Sequence, residues 1–313
     1  MQSSLESTGK SREPVQAWLV DQAVLNAAGL VLLVLLCLPV FTSQRAPINS
    51  DQSLYLSEAL NIANGDGLTY TNGEPITHRA PVQPALIAGA FELKGVSLDS
   101  AYLVPRFSIL ANVLLLFFLG RVLFGGWGGL IAGVAAASSL YLRGLGTTLY
   151  LDSTQATFLL AALLVYSQAG ASMVRMGGAG ALLGVSFLIK EASLLFLPLP
   201  VVLALLYGFD DAWKRALPAW FAGFAAATAW WFVWVYAHTG DVYLAGQLGG
   251  ALGLMITTVA IAVAVTGLAV LRYAPARFSS NRWTQAGAAL VLVVWCALFL
   301  HSLESSAWQF END

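Results

Sequence analysis

Long apolar runs separated by short polar breaks dominate the chain after its first twenty residues. Runs of about 17–25 apolar residues are long enough to cross about 30 Å of hydrocarbon. The pattern predicts nine transmembrane helices, at residues 23–41, 103–124, 127–142, 153–170, 178–192, 193–207, 216–237, 249–271 and 286–303. One stretch, 178–207, stays ambiguous from hydropathy alone, because Lys190-Glu191 interrupts it. It is either one broken helix or two short helices that form a hairpin.

The distribution of basic residues favours the hairpin. With nine spans and a cytoplasmic N-terminus, 9 of the 15 Lys and Arg residues lie inside and 6 outside. Such an excess of positive charge is typical of cytoplasmic loops. A single span at 178–207 would instead move Lys214 and Arg215 outside. We therefore expect a cytoplasmic segment 1–22, a transmembrane domain 23–303 in the inner membrane, and a short acidic extracytoplasmic tail 304–313.

Composition excludes an ordinary soluble domain. The chain is 58% hydrophobic and only 10% charged, with a mean hydropathy of +0.72, whereas a soluble domain carries about 25% charged residues. Lipid must cover much of its surface, and no nucleic-acid-binding signature is present. Cys37 and Cys296 both lie in apolar spans, so we expect packing residues rather than a disulfide. No small-residue cleavage site follows the first span, which is therefore expected to be a retained anchor.

The long loop at residues 42–102, predicted to be extracytoplasmic, is where chemistry is expected, since long loops in compact proteins are usually functional. Asn49 and Ser50 offer N-cap chemistry, and residues 51–63 then follow an amphipathic helical pattern. Such a helix would lie flat on the membrane interface. The prolines of the segment 78–84 predict an extended path back toward the membrane.

Two residues of this loop are candidates for proton transfer. Asp51 lies in the first turn of the predicted helix, where the helix dipole favours its ionised form. A carboxylate there could accept a proton from an incoming hydroxyl or amine, although an acid in a first turn is often only a stabilising cap. His78 could act as an acid, as a base or simply as an interfacial hydrogen-bond donor.

Two cations and one further acid lie close to apolar segments. Ionisable residues at membrane depth are costly and are therefore functional candidates. Arg79 offers a planar fork suited to phosphate oxygens, or it extends toward lipid headgroups. Lys190 acts as a point charge, or it pairs with Glu191 or caps the hairpin turn. Asp152 opens the fourth span, where it caps that helix or faces the same cavity. No Cys, His and Asp cluster has metal-ligand spacing, so no metal site is predicted.

The order of these residues along the chain resembles a known superfamily. The shared positions are Asp51, Tyr55, Leu56, Ala59, Ile62, Gly65, Gly73, Pro75, Arg79, Pro81, Pro84, Gly95, Ser97, Arg106, Arg121, Phe124, Gly125, Asp152, Gly184, Ser186 and Lys190. This set resembles the C-type glycosyltransferases, above all the branch of protein O-mannosyltransferases and bacterial aminoarabinose transferases. The resemblance covers about residues 23–240. It implies an all-α transmembrane helix bundle with interfacial helices in the first extracytoplasmic loop.

The resemblance also implies a function and residue roles. The activity would be transfer of a sugar from a polyprenyl-phosphate donor to an acceptor on the extracytoplasmic side, with inversion of the anomeric centre and without a cofactor. Asp51 would deprotonate or orient the acceptor, while Arg79 and Lys190 would stabilise the leaving phosphate. Substrate contacts are expected from Tyr55, His78, Arg79, Asp152, Lys190 and Glu191. The expected partners are membrane lipid, the lipid-linked sugar, an unidentified acceptor and a larger membrane complex.

Two departures keep an alternative open. Relatives often carry a second acid directly after the first, and here that position holds Gln52. Many relatives also have further spans and a soluble outer domain. The chain could therefore be a catalytically inactive structural subunit of a larger membrane complex. A transporter is the third alternative, but transporters usually show internal repeats, and none is visible. The enzyme hypothesis requires Asp51, Arg79 and Lys190 to converge on one pocket.

Overall fold

The computed structural model describes residues 13–207, 211–240 and 243. Its helices are α1 Glu13–Thr42, α2 Ser50–Asn64, α3 Val82–Lys94, α4 Leu98–Ala101, α5 Leu103–Ser138, α6 Leu140–Leu145, α7 Asp152–Ser167, α8 Met173–Phe187, the 3-10 helix Glu191–Phe196, α9 Leu199–Tyr207 and α10 Asp211–Thr239. Within those residues no strand forms, and one isolated bridge joins Thr69 to Pro75. The predicted spans 249–271 and 286–303, the tail 304–313 and Cys296 lie outside the described residues.

Helix α5 is a hairpin of two legs rather than one rod. Gly125 has φ 80°, in the left-handed region, and interrupts the helix there. A Cβ placed on Gly129 would lie 2.6 Å from the carbonyl oxygen of Phe117, whereas twelve residues of straight helix rise by about 18 Å. The legs 103–124 and 126–138 therefore pack against each other. The predicted break between 124 and 127 is confirmed, although the second leg ends at Ser138 rather than at 142.

The chain also reverses at Lys190, as the charge distribution predicted. A Cβ on Gly180 would lie 1.9 Å from the carbonyl oxygen of Trp220, so α8 and α10 touch at this level. The indole Nε1 of Trp220 donates to the carbonyl oxygen of Leu197 at 2.9 Å. Leu197 therefore lies back at the level of Gly180, and the hairpin alternative is confirmed.

Apolar packing is divided among three clusters. The largest joins α7, α8 and α10 around Met176, Trp220 and Trp231, and a second joins α1 to both legs of α5. The third lies in the first loop and joins α2 to α3. Two helical stretches among the described residues, Leu98–Ser138 and Asp211–Thr239, are long and apolar enough to cross a membrane. The first is the stretch that reverses at Gly125, and the total of nine spans stays a prediction.

Helix α2 begins where the sequence predicted. The Asn49 side chain caps it by accepting a hydrogen bond from the Gln52 backbone N–H at 3.0 Å. Gly65, with φ 87°, ends it in the left-handed conformation that glycine adopts without strain. The extended path predicted for 78–84 is wrong over its last three residues, because α3 begins at Val82. Pro84 is tolerated in a first helical turn, whose N–H groups have no partner within the helix.

Candidate functional site

The first loop is fastened to the start of α7 on the side of the bundle where Asp51 lies. The Asn49 side-chain amide donates to the hydroxyl of Tyr150 at 2.8 Å. Asp51 follows Asn49 by two residues, and Asp152 follows Tyr150 by two. One hydrogen bond between side chains therefore brings the two predicted acids to the same end of the bundle.

A second tether brings the two predicted cations to that end. The backbone N–H of Val82 donates to the carbonyl oxygen of Leu188 at 3.2 Å. Arg79 precedes this bond by three residues, and Lys190 follows it by two. The turn between α8 and the 3-10 helix thus lies beside the start of α3. All four charged residues belong to one layer of the molecule, at the loop side of the helices.

Asp51 and Arg79 form the first ion pair of the site. The Arg79 Nη2 atom lies 3.0 Å from Asp51 Oδ1, and both side chains are partly exposed. The guanidinium also lies over the ring of Tyr55, 5.4 Å from its centroid, which is within cation–π range. Burial raises the pKa of Tyr55 to about 12, so this phenol is neutral at physiological pH. Arg79 is held by the carboxylate and the ring, which sequence reasoning did not anticipate.

Lys190 and Asp152 form the second ion pair. The Lys190 Nζ atom lies 2.7 Å from Asp152 Oδ1, and each side chain is 39% exposed. The alternative in which Lys190 pairs with Glu191 is therefore wrong. Glu191 instead accepts a hydrogen bond from the Tyr243 hydroxyl. The break after α8 explains the difference, because extended backbone at Lys190 directs consecutive side chains differently.

His78 lies beside the first ion pair but is occupied by another partner. Its Nε2 lies 2.7 Å from the hydroxyl of Tyr70, and the two rings stack at 5.3 Å. Burial and then the charge of Arg79 lower the pKa of His78, so its neutral form prevails at pH 7. A neutral imidazole can accept or donate a proton here, and the predicted role of His78 in substrate binding stays a prediction.

Glu58 is the functional candidate that sequence reasoning missed. It is 1% exposed, and neither of its carboxyl oxygens has a hydrogen-bond partner among the described residues. Burial raises its pKa to about 7, while Arg79 acts in the opposite direction. The polar sequence around it suggested a solvent-facing position. The available signal was its spacing from Asp51 and Tyr55, since positions i, i+4 and i+7 share one helix face.

Gln52 also faces the protein interior. It is 2% exposed, and its Oε1 atom has no partner within the described part of the chain. The amide stands where the family resemblance led us to expect a second acid. A neutral side chain at this buried position avoids the cost of confining a second carboxylate beside Asp51.

An open cleft of about 510 Å³ lies elsewhere, between the end of α1 and the start of α5. Its lining consists of Phe41, Thr42, Ser43, Gln44, Arg45, Asp99 and Arg106, which include none of the predicted site residues. The requirement that Asp51, Arg79 and Lys190 surround one pocket stays a prediction. Over residues 13–207, 211–240 and 243, no group of three His, Cys, Asp or Glu side chains is placed to hold a metal ion.

Comparison with known protein families supports the resemblance seen in the sequence. A profile of the dolichyl-phosphate-mannose-protein mannosyltransferase family matches residues 78–234, half of the chain. That region contains Arg79, Asp152 and Lys190 and begins after Asp51. No curated protein matches the chain.

Solved structures share the fold at low sequence identity. ArnT from Cupriavidus metallidurans bound to undecaprenyl phosphate aligns with a TM-score of 0.60 and 19% identity, over 85% of this chain and 54% of that one. The apo form of ArnT from Cupriavidus metallidurans aligns with a TM-score of 0.58 and 18% identity, over 91% of this chain and 54% of that one. A third structure is the archaeal oligosaccharyltransferase AglB from Archaeoglobus fulgidus, in complex with an inhibitory peptide and a dolichol-phosphate. It aligns with a TM-score of 0.57 and 18% identity, over 88% of this chain and 37% of that one.

These alignments confirm the predicted fold class, a polytopic transmembrane helix bundle, and make the chain an integral membrane protein. The chain spans about half the length of the ArnT that it matches.

Proposed function

The chain belongs to the dolichyl-phosphate-mannose-protein mannosyltransferase family, and we propose that it transfers a sugar from a polyprenyl-phosphate donor to an acceptor on the extracytoplasmic side. The observation that carries this proposal is the pair of ion pairs on one layer, Asp51–Arg79 and Asp152–Lys190. Two cations at a membrane boundary suit a phosphate. The nearby carboxylate suits an acceptor that must lose a proton.

The proposed reaction is a single displacement at the anomeric carbon. Asp51 accepts the proton of the acceptor hydroxyl or amine as that atom bonds to the sugar. The bond from the anomeric carbon to the phosphate oxygen breaks, and its electron pair leaves with the polyprenyl phosphate. Arg79 and Lys190 stabilise the charge that grows on that phosphate. Attack from the face opposite the leaving group inverts the anomeric centre.

The remaining predicted residues have supporting roles in this proposal. Asp152 orients Lys190, with which it pairs at 2.7 Å. Tyr55 presents its ring to Arg79, and His78 and Glu191 contact the substrates at the edge of the site. The reaction needs no cofactor, because Arg79 and Lys190 supply the positive charge. Polyprenyl phosphates in the matched complexes, undecaprenyl phosphate with ArnT and dolichol-phosphate with AglB, support a lipid phosphate as the donor carrier.

The proposed location is the inner membrane, with the N-terminus in the cytoplasm and the C-terminus outside. The first loop then faces the cell envelope, where the acceptor is found. The proposal specifies neither the identity of the acceptor nor the members of a larger membrane complex. A buried Gln52 in place of a second acid also fits the alternative of an inactive structural subunit.

One substitution separates the two functions. Asp51→Asn removes the base and keeps the side-chain shape, so sugar transfer from polyprenyl-phosphate mannose should fall by about a hundredfold or more, the range of a lost general base. Asp66→Asn, a change at an exposed acid of the same loop, is the matched control and should keep wild-type activity. Transfer would be followed by radiolabel reaching an endogenous membrane acceptor. An Asp51→Asn enzyme as active as the wild type would refute the mechanism, and a wild type inactive with lipid-phosphate sugars would favour the subunit.

A further inference from the structure

Glu58 is a buried carboxyl group that the proposed reaction does not use. Both of its oxygens are inaccessible to solvent and without a hydrogen-bond partner among the described residues. Buried polar groups are nearly always hydrogen-bonded, because leaving one unpaired is costly. A nonpolar residue would fill this position at lower cost. The presence of a carboxyl group at this costly position therefore indicates a role for it within the site.

The position of Glu58 on α2 relates it to the first ion pair. Asp51, Tyr55 and Glu58 lie at i, i+4 and i+7, so Tyr55 separates the two acids along one face. Arg79 pairs with Asp51 at 3.0 Å and lies over the Tyr55 ring. Its guanidinium therefore lies against the face of α2 that carries both acids, in contact with Asp51 and Tyr55.

The charged surroundings of Glu58 are simple. On its own helix it shares a face with Asp51 and Tyr55, and the segment after α2 contributes Tyr70, His78 and Arg79. Burial raises the pKa of Tyr70 to about 12, and His78 is mainly neutral at pH 7. The first turn of helix α3 contributes the uncharged Gln83. Among the described residues, Arg79 is the charged group that acts to lower the pKa of Glu58, against the effect of burial.

We propose that Glu58 is a positioning residue, the alternate partner to which Arg79 turns when it releases Asp51 during the reaction. This inference rests on the proposed function. While Asp51 Oδ1 accepts from Arg79, that oxygen cannot take the acceptor proton, and Arg79 moves toward the donor phosphate more easily where a second carboxylate faces it. Glu58 supplies that second carboxylate across the Tyr55 ring. The guanidinium stays near the donor phosphate, and the Asp51 carboxylate becomes free for the acceptor.

The exchange should depend on pH in a defined direction. Below pH 7 the neutral form of Glu58 prevails, because burial raises its pKa to about 7. A neutral carboxyl group attracts the guanidinium only weakly, so Arg79 stays paired with Asp51. Above pH 7 the Glu58 carboxylate attracts the guanidinium. Release of Asp51 is therefore expected to become easier as the pH rises through 7.

Infrared titration tests the exchange without relying on activity. The protonated Glu58 carboxyl gives a C=O band, assigned as the band lost in Glu58→Gln or shifted in Glu58→Asp. In Asp51→Asn, Arg79 is released and should pair with Glu58, which lowers the titration midpoint by about one pH unit or more. Asp66→Asn should titrate like the wild type. A midpoint in Asp51→Asn equal to that of the wild type would overturn the proposal.

The catalytic consequence has its own measurement. Turnover of polyprenyl-phosphate mannose by wild type and Glu58→Gln is compared from pH 6 to pH 8, so that ionisation of the donor cancels in the ratio. Wild type should exceed the variant by about tenfold at pH 8, the scale of one charge-assisted hydrogen bond, and equal it at pH 6. Glu74→Gln, at an exposed acid of the same loop, should behave as wild type.

The two measurements fail in different ways. A ratio that does not change with pH would overturn the role of Glu58 and leave the glycosyltransferase proposal intact. A wild type inactive on this donor and on other lipid-phosphate sugars would overturn the proposed function, while the infrared midpoints would still decide whether Arg79 exchanges partners.

Discussion

Replacement of Gly180 by alanine should separate α8 from α10. A Cβ at this position would lie 1.9 Å from the carbonyl oxygen of Trp220 and 2.8 Å from its carbonyl carbon. Both atoms belong to the backbone of α10, so no side-chain rotation relieves the clash. Overpacking of this kind costs about 1–3 kcal/mol, and backbone contact places Gly180 at the upper end. The higher helix propensity of alanine returns about 1 kcal/mol, so we expect a net loss of about 1–2 kcal/mol.

Gly178 provides a matched control on the same helix. A Cβ there would meet no atom within 4 Å, so Gly178→Ala should leave stability unchanged or raise it slightly. Unfolding would be followed in detergent as the temperature at which the monodisperse species disappears. A change of about 2–4 °C per kcal/mol is typical of domains of 150–250 residues, so Gly180→Ala should lose several degrees. Equal midpoints for the two variants would refute the close contact between these helices.

Two further predictions concern the charged residues. Lys190→Met should abolish donor turnover but cost less than about 1 kcal/mol of stability, because solvent screens its half-exposed pair with Asp152; a large drop in the melting temperature would contradict this. For Glu58, the folded-state pKa of about 7 lies above the ordinary value of 4.5, so its folded form binds more protons and stability falls as the pH rises from about 4.5 to 7. Glu58→Gln should therefore gain stability relative to wild type by up to about 3 kcal/mol between pH 4.5 and pH 8. The melting temperatures of the two proteins would be compared at each pH. A difference that is constant with pH would contradict the buried state of this acid.

The sequence predicted the features that depend on local chemistry and on charge counting. The reversal at Gly125 follows from the end of one apolar run at 124 and the start of the next at 127, and the reversal at Lys190 from the positive charges that a single span would misplace. The cap at Asn49 and the end of α2 at Gly65 follow from side-chain and backbone preferences of the two residues. The caps depend on a few neighbouring residues and the charge count on the sequence alone, so both can be read without knowing the rest of the fold.

The features that sequence reasoning missed depend on contacts between distant segments. Asp51 and Arg79 are 28 residues apart, and Lys190 and Asp152 are 38 apart; nothing local indicates that they pair. Glu58 lies in a polar stretch, and only the return of the chain after α2 buries it. The start of α3 at Val82 was missed because prolines were taken to exclude a helix, although a first turn tolerates them.

The two ion pairs set an order of events for the proposed reaction. In the described state both cations are already paired with carboxylates, so a phosphate meets neither Arg79 nor Lys190 as an unpaired charge. A donor phosphate must therefore compete with Asp51 for Arg79, and the Glu58 carboxylate assists it by giving Arg79 a second partner. When Arg79 moves, the Asp51 oxygen that it held becomes available to take the acceptor proton. Donor binding and activation of the base then become a single event, which prevents the acceptor from losing its proton before a sugar is in place.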